Sequence, residues 1–299
     1  MSEIDNGPVV VAGVCGSGTR VVADILAELG FFIGNDLNSA KDNLLFTLLF
    51  KRPKWYYENN QDSETINTGL SLLQKVMTGK QGLSKQELGF LLTAVGSKVF
   101  IGHQYEGRGR GIWPLKRLKK ILGMGPEKYK DISYVGWGWK EPHSLLLIRQ
   151  MNCYFDSFRY IHVLRHGLDM AFSDNQEQLH LWGRLFGVEQ PRNQSELPAI
   201  SLRFWARVNR DIIQIGEEMG PERFLLVDFD ELCSAPYESV QRIISFLDIK
   251  PNEEAVQRIL KIPKRPASKG RYQNHDLNQF AADDLAVLEQ LGFPVVRKV

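Results

Sequence analysis

Cysteine is scarce. Cys15, Cys153 and Cys233 are the only three in 299 residues, and they lie far apart. That excludes a disulfide framework and a paired-cysteine metal site, and it suits a reducing compartment. No cluster of His, Cys and Asp shows metal-ligand spacing, so no metal is expected. Long apolar runs are also missing; none approaches the roughly 20 residues needed to span a bilayer. The opening MSEIDNGP has neither a basic nor an apolar leader segment, which with the cysteine usage points to a cytoplasmic location. Charge of one sign does not dominate: 37 Lys and Arg against 35 Asp and Glu leave a net +2, so nucleic acid is not an expected partner. There is no internal repeat and no low-complexity tract. What remains is 43% hydrophobic and 24% charged, a composition that folds around a core.

The most informative stretch present runs from Val9 to Gly34. Val9-Val10-Val11-Ala12 is an apolar, β-branched run that predicts a buried strand. A glycine-rich turn, Gly13 to Gly18, follows it. Val21, Val22, Ile25, Leu26 and Leu29 then recur at helical spacing, and Gly30 suits the helix end. Strand, glycine-rich loop and helix N-terminus together present free N–H groups and the positive end of a dipole, which suits a phosphate. The same pattern also describes a tight strand-to-helix turn that binds nothing. Gly13 and Gly18 satisfy G-x-x-x-x-G, but Thr19-Arg20 follows where nucleotide hydrolases carry Lys and Ser or Thr, which disfavours ATP or GTP hydrolysis. G-x-G-x-x-G fails at Val21, so a dinucleotide site is disfavoured. Cys15 within the loop reads as a small filler side chain.

From about residue 43 to 120 the texture is helical. Leu44 to Leu49 and Ile66 to Met77 are amphipathic or apolar segments, and Ser84-Lys85-Gln86-Glu87 opens a helix as a capping box would. This block reads as an insertion packed over a sheet, either helping to form a substrate pocket or serving as a structural layer. Residues 102–113, with His103, Tyr105, Arg108, Arg110 and Trp113, read as a solvated loop, with binding of an acidic or sugar-like acceptor as the alternative. Parallel-sheet texture returns at 132–139. Lys140-Glu141-Pro142-His143 then leads into a helix over 144–155. A strand at 158–164 ends in Arg165-His166-Gly167, with a short helix after it, so Arg165 and Ser173 lie near the carboxyl end of a strand. Ligands of open α/β sheets bind along that edge. A helix over 200–219, a strand over 224–227, helices over 240–247 and 255–262, a basic loop over 263–275 and a last helix over 277–291 complete the chain. The expected fold class is α/β, a P-loop-type three-layer fold with a mainly parallel sheet and a helical insertion, in a single domain spanning 1–299.

Three separated elements now agree: Gly16-Ser17-Gly18-Thr19, Arg165 with Ser173 eight residues on, and Ser268-Lys269-Gly270-Arg271. Together they resemble the sulfotransferases that use 3′-phosphoadenosine-5′-phosphosulfate (PAPS), in particular the bacterial branch related to tyrosylprotein and carbohydrate enzymes. Leu164 to Asp169 is similar to that family's V-R-D-G-R-D run, Lys140-Glu141-Pro142 to its K-D-P run, and Asp228 to Leu232 with Pro236 to its Y-E-D-L segment. The resemblance covers most of the chain and is weakest in the insertion.

The resemblance implies a sulfotransferase that moves the sulfuryl group of PAPS to an acceptor hydroxyl of a sugar, lipid or small metabolite, releasing PAP. It puts the 5′ end of the nucleotide on Gly16, Ser17, Gly18, Thr19 and Arg20. It puts the 3′-phosphate on Arg165 and Ser173, with Ser268, Lys269, Gly270 and Arg271 closing over it. Lys140 would stabilise the transferring group, and the apolar and tryptophan-rich stretch before it disfavours a solvated location. The acceptor proton would go to His143, with Glu141, Asp36 and His103 as rivals. For Arg165, an ion pair with Asp169 or Asp228 is the structural alternative. One position departs from the pattern. Lys or Arg usually precedes Ser-Gly-Thr, and here that residue is Gly16; Arg20 would return the charge from the other side. A kinase-like phosphotransferase and a non-catalytic nucleotide-binding protein are the competing readings.

Overall fold

The computed structural model describes residues 7–80, 82–98, 112–122 and 134–296. Five strands form one sheet: β1 (Val9–Ala12), β2 (Phe31–Phe32), β3 (Gly136–Lys140), β4 (Arg159–Leu164) and β5 (Phe224–Asp228). Their order is β2-β3-β1-β4-β5, and every pairing is parallel. β1 is central and wholly buried, which is why its sequence is an unbroken β-branched run rather than an alternating one. Alternate residues of β1 serve different cores. Val9 and Val11 pack with Val22, Ile25 and Leu26 on one face, whereas Val10 and Ala12 pack with Trp137 and Trp139 on the other.

Helices cover both faces. The first face carries α1 (Thr19–Glu28) and, from further along the chain, three helices whose apolar side chains join the same core. The second face carries the block between β2 and β3: α2 (Leu44–Phe50), α3 (Pro53–Asn59), α4 (Ser63–Thr78), α5 (Lys85–Gly96) and α6 (Ile112–Leu122). The expected helical insertion is therefore present, and Ser84 and Glu87 form the reciprocal capping box at the start of α5. Trp113, assigned to a loop from sequence, is instead buried on α6. His103, Tyr105, Arg108 and Arg110 lie outside the described residues.

After β3 a 3₁₀ turn (Pro142–Leu147) precedes α7 (Ile148–Tyr154), with Pro142 at its first position, where no N–H is needed. Next come α8 (Gly167–Ala171), α9 (Glu177–Trp182) and the long α10 (Leu197–Met219). Following β5, α11 (Phe229–Ser234), α12 (Pro236–Leu247) and α13 (Glu253–Ile259) return to the first face. The last helix, α14 (Ala282–Gln290), is shorter than expected: Leu277 and Phe280 are buried from the turn before it and not from the helix itself. Among the described residues no helix is long and apolar enough to cross a membrane. Because β1 has β3 on one side and β4 on the other, the carboxyl end of β1 opens at the point where the chain changes direction across the sheet. That is where an open parallel sheet leaves a crevice.

Candidate functional site

The β1–α1 loop opens into that crevice. Gly16 and Gly18 both sit in the left-handed region, with φ of 95° and 96°, so the loop's shape depends on residues without a Cβ. At Gly18 a Cβ would stand 2.2 Å from the Phe229 ring. The Ser17 N–H turns back to the Val14 carbonyl at 3.0 Å, and the Ser17 hydroxyl is buried with no hydrogen-bond partner among the described residues. Thr19 begins α1, which has no acidic residue in its first turn and no side-chain cap. Its leading N–H groups therefore meet no negative side chain of their own helix. Cys15 is buried, and burial pushes its thiol up. This agrees with a filler role; its N–H donates to Gln178 Oε1 of α9 at 2.8 Å.

Arg165 leaves the end of β4 and reaches two segments remote in sequence. Its guanidinium donates to the Gly16 carbonyl at 3.1 Å and to the Ser268 hydroxyl at 2.7 Å, while its Nε is buried without a partner among the described residues. The ion-pair alternative is not what forms. Asp169 accepts from the Gly270 and Tyr272 N–H groups, and Asp228 caps α11. Burial draws the Arg165 guanidinium below its ordinary value, and nearby Asp230 and Asp169 oppose that. Around it, Lys269 stands 3.6 Å from Asp230, and Arg271 donates to the Phe172 carbonyl at 3.0 Å. The Ser173 hydroxyl lies 4.0 Å from where a Gly16 Cβ would be. The loop, Arg165, Ser173 and the 268–271 segment, chosen from sequence, are thus brought together.

The crevice is a cleft of about 370 Å³ that Arg20, Lys140, His143 and Arg165 all line. Arg20 is exposed on the first turn of α1. Lys140, the last residue of β3, is 3% exposed, donates to the Ala40 carbonyl at 3.0 Å and pairs with Asp42. Glu141 accepts from the His143 N–H at 2.6 Å and stands 3.0 Å from His143 Nδ1. Burial pushes the Glu141 carboxyl up, but His143 and Lys51 outweigh it and hold it well below the usual carboxylate range. Asp36 is elsewhere: Arg117 at 3.2 Å and Lys120 at 2.5 Å tie it to α6, outside this cleft. His103 lies outside the described residues.

The profile of the sulfotransferase family matches residues 8–253. The chain belongs to the sulfotransferase family. Among solved structures it is similar to the sulfotransferase domain of the Synechococcus PCC 7002 olefin synthase, at 14% identity and a TM-score of 0.49, covering 98% of this chain and 97% of that one. It is similar also to the sulfotransferase domain of the curacin biosynthetic pathway (11%, TM-score 0.49, 97% and 99% covered). A third similar structure is the sulfotransferase STF9 from Mycobacterium avium (12%, TM-score 0.48, 98% and 79% covered). No curated protein matches.

The cleft also holds residues that no sequence pattern marked. Asp42 holds Lys140. Lys51, at the end of α2, and Glu177, at the start of α9, are buried and line the same cleft as His143. A lysine closing the apolar run Leu44 to Phe50 is the one local signal, since a charge ending a buried helix needs a partner.

Proposed function

We propose that the chain is a PAPS-dependent sulfotransferase, a single domain acting in the cytoplasm on a hydroxyl of a sugar, lipid or small metabolite. Within the family we place it in the bacterial branch related to tyrosylprotein and carbohydrate enzymes. The observation that carries the reading is the meeting of Gly16, Arg165 and Ser268 beside the N-terminus of α1. A nucleotide with phosphates at both ends needs two anion sites a few ångströms apart, one of backbone N–H groups and one of cations. The fit is supported by two donors buried without partners, Ser17 Oγ and Arg165 Nε. When bound, PAPS supplies a sulfuryl group already activated by its anhydride link to phosphate.

The residues then divide the work. Gly16 to Arg20 hold the 5′ end in the manner of a P-loop without its lysine. Arg165, Ser173 and the 268–271 segment hold the 3′-phosphate. Lys140 places positive charge at the reacting centre, and Asp42 keeps it aimed there until it is needed. Glu141 engages His143 Nδ1, which leaves Nε2 to take the acceptor proton. As the acceptor oxygen bonds to sulfur, its proton passes to Nε2 and the electron pair of the breaking bond stays on the leaving phosphate. Gly16 favours one rival reading, a nucleotide-binding protein without turnover, because no cation precedes Ser17.

A thermal-shift comparison of PAP, PAPS, ADP and ATP tests the reading on wild type, Arg165→Lys and Arg165→Ala. Stabilisation by PAP and PAPS over ADP and ATP, weakened in both variants, is expected. An equal or larger shift with ATP would overturn it, and PAP binding without turnover of PAPS would leave only the binding protein.

A further inference from the structure

Four ionisable side chains from three distant parts of the chain close into a ring on the floor of the cleft. Lys51 pairs with Glu177 and stands 3.9 Å from Glu141 Oε1. Glu141 stands 3.0 Å from His143 Nδ1, and His143 Nε2 stands 3.4 Å from Glu177 Oε1. All four are at most 7% exposed. Charges of both signs alternate around the ring, and His143 Nε2 has no hydrogen-bond partner among the described residues. Burying a lone ion costs several kcal/mol, so a set like this persists only when its members compensate one another. With His143 neutral, two carboxylates face one ammonium and the ring carries one net negative charge. A proton arriving at Nε2 brings it to zero.

Resting on the sulfotransferase reading, we propose that Glu177, held by Lys51, is a positioning residue that sets how strongly His143 Nε2 takes up the acceptor proton. Glu141 orients the ring from the Nδ1 side. Glu177 faces the nitrogen that becomes charged, at a distance where an opposite charge acts strongly in a dry site. Lys51 moderates it: the ammonium pairs with Glu177 and offsets its charge. Burial draws the Lys51 ammonium down, but Glu141 and Glu177 more than offset this and raise it above its ordinary value, as a permanent cation requires. The other groups facing the ring are compatible. Cys15, from the β1–α1 loop, has its thiol pushed up by burial and stays neutral. Lys140, on the cleft wall, is paired with Asp42 and not with any member of the ring. The Trp182 ring, centred 6.0 Å from the imidazole, brings no charge.

The test follows the imidazole nitrogen resonances of His143 with pH in the full chain, assigned by their loss in His143→Gln. Glu177→Gln keeps the shape and removes the charge, so the His143 midpoint is expected to fall by about one pH unit or more relative to wild type. Lys51→Met exposes the imidazole to an uncompensated Glu177, and the midpoint is expected to rise. Lys51→Arg is expected to restore the wild-type value. A structural role would not move the midpoint in opposite directions. If it stays put, or both variants shift it the same way, the proposal is overturned; should Lys51→Met fail to fold, Glu177→Gln and Lys51→Arg decide. Thermal stabilisation by PAP, read on the same samples, is independent. Its absence in wild type would remove the nucleotide reading without touching the titration.

Discussion

The Arg165 guanidinium and the Ser268 hydroxyl, 103 residues apart in sequence, meet at 2.7 Å. Ser268 holds one arm of the arginine while the Gly16 carbonyl holds another. The fork is thereby fixed before any anion arrives. Ser268→Ala is expected to weaken PAP affinity about fivefold to tenfold, the worth of one hydrogen bond to a charged group after partial compensation by water. Titration calorimetry with PAP reads this. Unchanged affinity would mean that the arginine needs no such support.

Lys140 and Asp42 form the second pair to probe. Lys140→Met is expected to lower turnover of PAPS by about 100-fold or more, as loss of a charge aimed at the transition state does, while PAP affinity stays within a few fold. Asp42→Asn releases the ammonium without removing it, so a smaller loss is expected. Single-turnover rates and PAP binding on both variants check the pattern. A Lys140→Met variant that loses PAP binding and turnover equally would make the lysine a ground-state contact.

Gly18 is held twice over, by φ of 96° and by the Phe229 ring 2.2 Å from a would-be Cβ. Gly18→Ala is expected to cost about 2–4 kcal/mol, adding left-handed strain to overpacking. Urea unfolding measures it. Combined with Phe229→Ala the loss should be less than the sum of the two, because the aromatic ring is the obstacle.

His162 predicts an acid limb in stability. It lies buried in β4, its Nε2 2.8 Å from Asn209 Oδ1. Burial pushes the imidazole down to about 4, against the opposing hydrogen bond that His162 Nε2 donates to Asn209. In the unfolded chain it titrates near 6.5. The sign follows: the unfolded state takes a proton that the folded state refuses. Full stability is kept above about pH 6.5 and is lost toward pH 4, at up to about 1.4 kcal/mol per pH unit for this one group. Urea midpoints between about pH 7 and about pH 5 should fall more steeply for wild type than for His162→Gln. Parallel slopes would show that another group governs the acid limb.

The parts of the fold legible in sequence are those with a local physical cause. β1 was readable because a strand buried on both faces must be continuously apolar, and α5 because Ser84 and Glu87 cap it reciprocally. Arg165 and the 268–271 segment were readable as separate motifs, and the fold brings them together. β2 was not, since Phe31–Phe32 is too short to show a period. Asp36 looked available from its position after the first helix, yet Arg117 and Lys120 arrive from α6, more than 80 residues on. The Lys51–Glu177 pair spans two helices with no shared pattern. Neither residue signals its partner, because burial of both is decided only when the sheet closes beneath them.

α2 is part of the helical block between β2 and β3, yet it delivers Lys51 to Glu177 of α9, which follows β4 in the chain. Exchanging that helical block for one from a relative, as one might do to graft a new acceptor preference, would also exchange the counter-ion beneath the cleft. A chimera that omits a lysine at this point would bury a carboxylate with no cation beside it. On the proposed reading, acceptor choice and proton chemistry would be carried on one removable piece of chain, so that re-engineering one would disturb the other.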